Sequence, residues 1–122
     1  MSRWIRRIAL SFAAVAGIAW GSVAPAQSVE RLKAGVVRIS AQFEGLKRTG
    51  SGFIVRLEND AAFIVTASHV IEGDNHPRVE FFTRRNTWVT AETVRIEGGD
   101  PRGLAVLAVR GKDNLPANLT AL

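Results

Sequence analysis

From residue 36 onward the chain is cut into short β-branched and aromatic stretches, separated by glycine, asparagine, aspartate or proline, and none is long enough for a core-forming helix. Val36 to Phe43 alternates with the period of two that marks a half-buried strand. Gly50-Ser51-Gly52 opens a second run, Phe53 to Leu57. Asn59-Asp60 supplies a tight turn, and Ala62 to Thr66 returns, so 53–66 predicts a hairpin. Val79 to Thr83 and the longer Thr87 to Ile96 are predicted as the fourth and fifth strands. Leu104 to Val109, apolar enough for burial on both faces, is the sixth. Ser28 to Lys33 and Val70 to Gly73 each predict a single helical turn, the first capped by Ser28 and the second ended by glycine. The expected fold is all-β: a six-stranded antiparallel barrel, whose closure removes exposed strand edges.

The first residues read differently. Arg3, Arg6 and Arg7 precede an apolar run from Ile8 to about Val23, and Ala24-Pro25-Ala26 has the small-residue pattern of a cleavage site. Residues 1–26 are therefore expected to be a secretory signal helix, with the mature chain starting near Gln27. As a permanent anchor the run is short and broken by glycine. The predicted organisation is this leader, a short segment 27–33, a barrel over 34–110, and 111–122 as the start of a linker in a truncated chain. The expected location is secreted or periplasmic, with membrane contact only transient.

The leader also accounts for most of the charge. The chain carries +5, from 16 Lys and Arg against 11 Asp and Glu; three of those bases and no acid lie in residues 1–26, which leaves about +2. The remaining bases form no stripe interleaved with aromatics, so no nucleic-acid partner is expected. There is no cysteine, and His69 and His76 lack metal-ligand spacing, so neither a metal nor another cofactor is expected.

His76 lies in the polar loop Asp74 to Pro77 and reads as a solvated residue. His69 ends the third strand, in Ile64-Val65-Thr66-Ala67-Ser68-His69-Val70-Ile71, where a histidine is often only structural. Its surroundings, however, resemble a known family. Gly50-Ser51-Gly52-Phe53, Thr66-Ala67-Ser68-His69-Val70 and Leu104-Ala105-Val106-Leu107 resemble the trypsin-like serine proteases, in particular their bacterial periplasmic high-temperature-requirement branch. The resemblance covers about residues 34–110 and implies the first of that family's two β-barrels. It implies that His69 is the general base, taking a proton from a serine and giving it to the leaving amine.

The sequence departs from that pattern at two points. The aspartate expected directly before Leu104 is Gly103, and the nearest acid is Asp100. Asp100 either substitutes as the orienting carboxylate or is a turn aspartate before proline. Glu72 and Asp74 are expected to face solvent. The second departure is the nucleophile. In the resembled family it sits in a Gly-x-Ser-Gly-Gly turn of the second barrel, and no such turn occurs among these residues. Ser51 precedes a strand and lacks the strand-to-helix elbow a nucleophile requires, so its flanking glycines are expected to serve a bulge or bend. Ser68 is expected to face away from His69.

The expected function is that of a fragment of a secreted serine endopeptidase. Its candidate catalytic residues are His69 and Asp100, its substrate is a protein or peptide, and its structural partner is a missing C-terminal barrel. The alternative is a non-catalytic binding module or pseudoprotease. An oligosaccharide- or RNA-binding barrel has the right strand content but lacks a sheet face of exposed aromatics.

Overall fold

Two-residue turns and long antiparallel pairings dominate the chain. The computed structural model describes residues 25–100 and 102–122, so residues 1–24 of the expected leader lie outside the described residues. Among the described residues no helix is long and apolar enough to cross a membrane.

The first element is a helix, α1 (Pro25–Lys33), with Arg31 and Lys33 in its last turn beside the negative end of the helix dipole. It starts three residues before the expected Ser28 cap. The strands are β1 (Val36–Phe43), β2 (Leu46–Glu58), β3 (Ala61–Ala67), β4 (Arg78–Phe81), β5 (Trp88–Thr90), β6 (Glu92–Ile96) and β7 (Leu104–Arg110). A four-residue helical turn, α2 (Ser68–Ile71), follows β3 directly, and a 3-10 turn covers Lys112–Asn114.

All pairings are antiparallel, in the order β5-β4-β1-β2-β3-β7-β6. The two outermost strands are consecutive in the chain, with only Ala91 between them. Their backbone also bonds to the approach to β4: Ala91 N–H donates to Pro77 O at 2.7 Å, and Thr93 N–H to Asn75 O at 3.1 Å. The sheet thus curls until its ends meet through one stretch of chain.

This explains why seven strands stand where six are expected. Thr87 to Ile96 bends at Ala91 and changes partner, from β4 before the bend to β7 after it. Ala91 is 2% exposed, and its small side chain fits the inside of that corner. β2 is also longer than expected. Glu44 and Gly45, both at positive φ, form a two-residue turn, and the β1–β2 ladder runs from Phe43↔Leu46 through to Val36↔Phe53. The bulge expected at Gly50–Gly52 lies further on, between Ile54 and Arg56.

Alternation along the strands builds one core. Val37, Ile39 and Ala41 of β1 meet Ile54, Ala62, Ile64, Val79, Phe81, Ala105, Leu107 and Val109, and α2 adds Val70 and Ile71. The final segment lies against this barrel. Leu115 and Leu119 pack on the core, and Leu122 N–H donates to Ile54 O at 2.7 Å. Glu80, buried on the side of β4 opposite the core-facing Val79 and Phe81, accepts from Asn86 N–H at 2.6 Å and lies 3.6 Å from Arg38 Nη1. Both contacts compensate a carboxylate that would otherwise be costly to bury.

Phe81 is the largest fully buried side chain. Phe81→Ala is expected to lower the unfolding free energy by about 3–5 kcal/mol, read from urea denaturation curves.

Candidate functional site

The His69 turn is fixed by its neighbours on three sides. Beneath it, β2 and α2 approach so closely that a methyl on Gly50 would sit 2.6 Å from a Val70 side-chain carbon. Glycine at 50 is thus required for the seat of the turn. Beside it, Ser68 N–H donates to Gly103 O at 2.9 Å and Ser68 Oγ to Asp100 O at 3.2 Å. From β2, Arg48 Nη1 donates to His69 O at 2.7 Å. Ser68, Val70 and Ile71 are buried, while the His69 side chain is exposed and has no hydrogen bond or ion pair among the described residues. Ser68 is buried and His69 exposed, so the two side chains point apart, but across a step of a helical turn and not by the alternation of an extended segment.

The region where the resemblance places an orienting aspartate is closed by backbone. Gly103 is buried, its N–H donates to Asp100 O at 2.8 Å, and its carbonyl holds Ser68. A Cβ at this position would lie 2.6 Å from Glu97 O and 3.0 Å from Asp100 O. Glu97 completes the loop: its N–H donates to Leu104 O at 3.0 Å, and its Oε1 accepts from Leu104 N–H at 2.9 Å. The loop from Glu97 to Leu104 is therefore tied across its base, and only a residue without a side chain fits at 103.

Asp100 comes close to the histidine turn through its main chain. Its carbonyl accepts from Ser68 Oγ, while its carboxylate oxygen Oδ1 accepts from Arg102 N–H at 2.9 Å, an Asx turn that orders the loop locally. Among the described residues no hydrogen bond or ion pair joins His69 to Asp100. Asp74 and His76 lie beyond α2 on another face, where Asp74 bonds to Gln42 and His76 N–H groups. Ser51 is exposed in the middle of β2, paired with Arg38, and its carbonyl accepts from the buried Thr66 hydroxyl at 2.8 Å. Among the described residues no three histidine, aspartate or glutamate side chains are grouped to hold a metal ion.

Two supports of the site had no clear signal in the sequence. Arg48 lies 21 residues from His69, and only the unexpected extension of β2 brings it there. Thr66 sat within the motif, but its hydroxyl partner follows from the β2–β3 register, which places Gly52 opposite it.

A solved structure similar to this chain is the serine endoprotease from Yersinia pestis. The match has a TM-score of 0.55 and 25% sequence identity, and covers 83% of this chain and 33% of that one. The chain folds like part of a serine endoprotease. It spans about a third of that structure's length. No protein-family model matches the sequence, and no curated protein matches it.

The closed loop gives a direct test. Gly103→Ala is expected to lower stability by about 1–3 kcal/mol through overpacking. Gly98→Ala, where a methyl meets nothing within 4 Å, is expected to stay within about 0.5 kcal/mol of the parent. Paired thermal melts of the two variants make the comparison.

Proposed function

We propose that this chain is the histidine-bearing barrel of a secreted, serine-endoprotease-like protein, with His69 at the general-base position and little or no hydrolytic capacity of its own. The observation that carries the reading is the sealed loop at Gly103. A general base needs a carboxylate on its second ring nitrogen, to select the tautomer and stabilise the imidazolium, and losing that carboxylate costs about 10⁴ in turnover. Here the position is filled by the Glu97 and Asp100 carbonyls, and the Asp100 carboxylate is engaged with Arg102. The leader-like residues 1–26 support export. The likeness to a serine endoprotease supports the placement of His69, and the nucleophile belongs to a second barrel outside these 122 residues.

A second reading keeps the protein active, with Asp100 turning to His69. The anchoring of the Asp100 carbonyl to Ser68 favours it, because that contact holds the residue beside the histidine turn.

Ring-nitrogen NMR separates the two. The proposal expects His69 to lack the slowly exchanging Nδ1–H signal of a carboxylate-held imidazole, with a spectrum unaltered by Asp100→Asn. Such a signal in the parent, lost in Asp100→Asn, would establish the second reading. Casein hydrolysis by the chain that disappears in His69→Ala would overturn the first.

A further inference from the structure

The outer face of the sheet carries a second concavity, independent of His69. Ser40 and Gln42 alternate with buried Ile39 and Ala41 of β1 and so face away from the core. Lys47 pairs with Gln42 on one side, and Arg78 pairs with Ser40 on the other. With Trp88 of β5 and the loop residues Asp74 and His76, these side chains line a groove of about 410 Å3. That lies within the roughly 300–1,000 Å3 usual for small-molecule sites.

Its polar groups divide into two sets. Asp74 is committed to the scaffold: Oδ2 accepts from Gln42 N–H at 2.8 Å and Oδ1 from His76 N–H at 2.9 Å. This ties the 74–77 loop to the end of β1. By contrast, the side chains of Ser40, Gln42, Lys47, His76 and Arg78 have no hydrogen bond or ion pair among the described residues. Two unpaired cations, a hydroxyl, an amide and an imidazole therefore converge on one hollow beside a half-buried indole. Arg38 lies 6.0 Å from the Trp88 ring centre and also pairs with Glu80. The neighbouring cation is thereby neutralised and the ring is steadied.

The lining selects a class of ligand. Binding hollows for apolar molecules are lined mainly by hydrophobic side chains, and this one is not. Lys47 and Arg78 suit an anionic group, Arg78 by a two-pronged contact with a carboxylate. Ser40, Gln42 and His76 suit hydroxyls, and Trp88 offers an apolar face to a ring that carries polar groups at its rim. We propose that this groove binds an acidic saccharide, with its carboxylate between Lys47 and Arg78 and one sugar ring against Trp88. A single-stranded nucleic acid combines anions with stacking too, but it needs successive aromatic platforms, and this groove has one.

Isothermal titration calorimetry of the full chain with trigalacturonate tests the proposal, beside maltotriose, inorganic phosphate and a short thymidine oligonucleotide. Trigalacturonate is expected to bind at least about tenfold more tightly than any of the other three. Lys47→Ala and Arg78→Ala are each expected to weaken it about tenfold, and Trp88→Ala several-fold with Trp88→Phe restoring part of the loss. Lys112→Ala, an exposed cation elsewhere on the barrel, leaves the affinity unchanged. Equal binding of maltotriose would overturn the role of the cations. Equal or tighter binding of phosphate or the oligonucleotide would overturn the saccharide assignment. So would no heat with trigalacturonate up to about 10 mM.

Discussion

The contact between Gly50 and Val70 governs more of this protein than its size suggests. It lets a four-residue turn lie flat on β2, so that Val70 and Ile71 join the core while the residue between Ser68 and Val70 faces outward. So short a turn has no capping side chain and no helical stability of its own. Its shape is imposed from outside, by the packing of the Val70 side chain onto Gly50 and by the bonds from Ser68 and Arg48. His69 is thus held firmly by its main chain and left free at its ring.

The same economy has a different result at Gly103. There too a missing side chain allows close approach, but the space it vacates is taken by the Glu97 carbonyl instead of a packed side chain. Gly103 must accept from and donate to its neighbours while β7 begins one residue later. A carboxylate at this point would require the loop to open, which breaks the Gly103–Asp100 bond and displaces the carbonyl that anchors Ser68. The support of the histidine turn and the exclusion of a side chain at position 103 are consequences of one arrangement of backbone.

Much of this was legible in the residues. The alternation in β1, the Asn59-Asp60 turn and the apolar run of β7 each report local physics, and each stands where its pattern puts it. The Thr66 to Val70 motif likewise marks the one exposed histidine at a strand end. What escaped was set by distant partners. An alanine inside a β-favouring run gives no warning that the chain bends there, because the bend follows from closing the sheet and not from Ala91 itself. Glu44 is an unusual residue for positive φ, so its turn with Gly45 carried little signal. The closing segment read as a polar loop because Leu115, Leu119 and Leu122 stand singly among turn-forming residues. Their spacing of four and three is that of a helix face, which the segment does not form, and their anchoring depends on distant partners in the barrel.

The histidine turn and the outer groove share one piece of backbone. Asp74 N–H donates to Ile71 O at 2.9 Å, directly behind α2, while the Asp74 carboxylate holds Gln42 and His76. Such a link could act as a switch only if the segment had two arrangements of similar energy. Ile71 is fully buried, Gly73 adopts a positive φ with Phe43 packed against it, and both Asp74 carboxylate oxygens are bonded. Moving any one of these breaks contacts on both sides of the barrel wall. The 71–76 segment therefore behaves as a common brace, which keeps the groove open and the histidine turn seated without passing a signal between them.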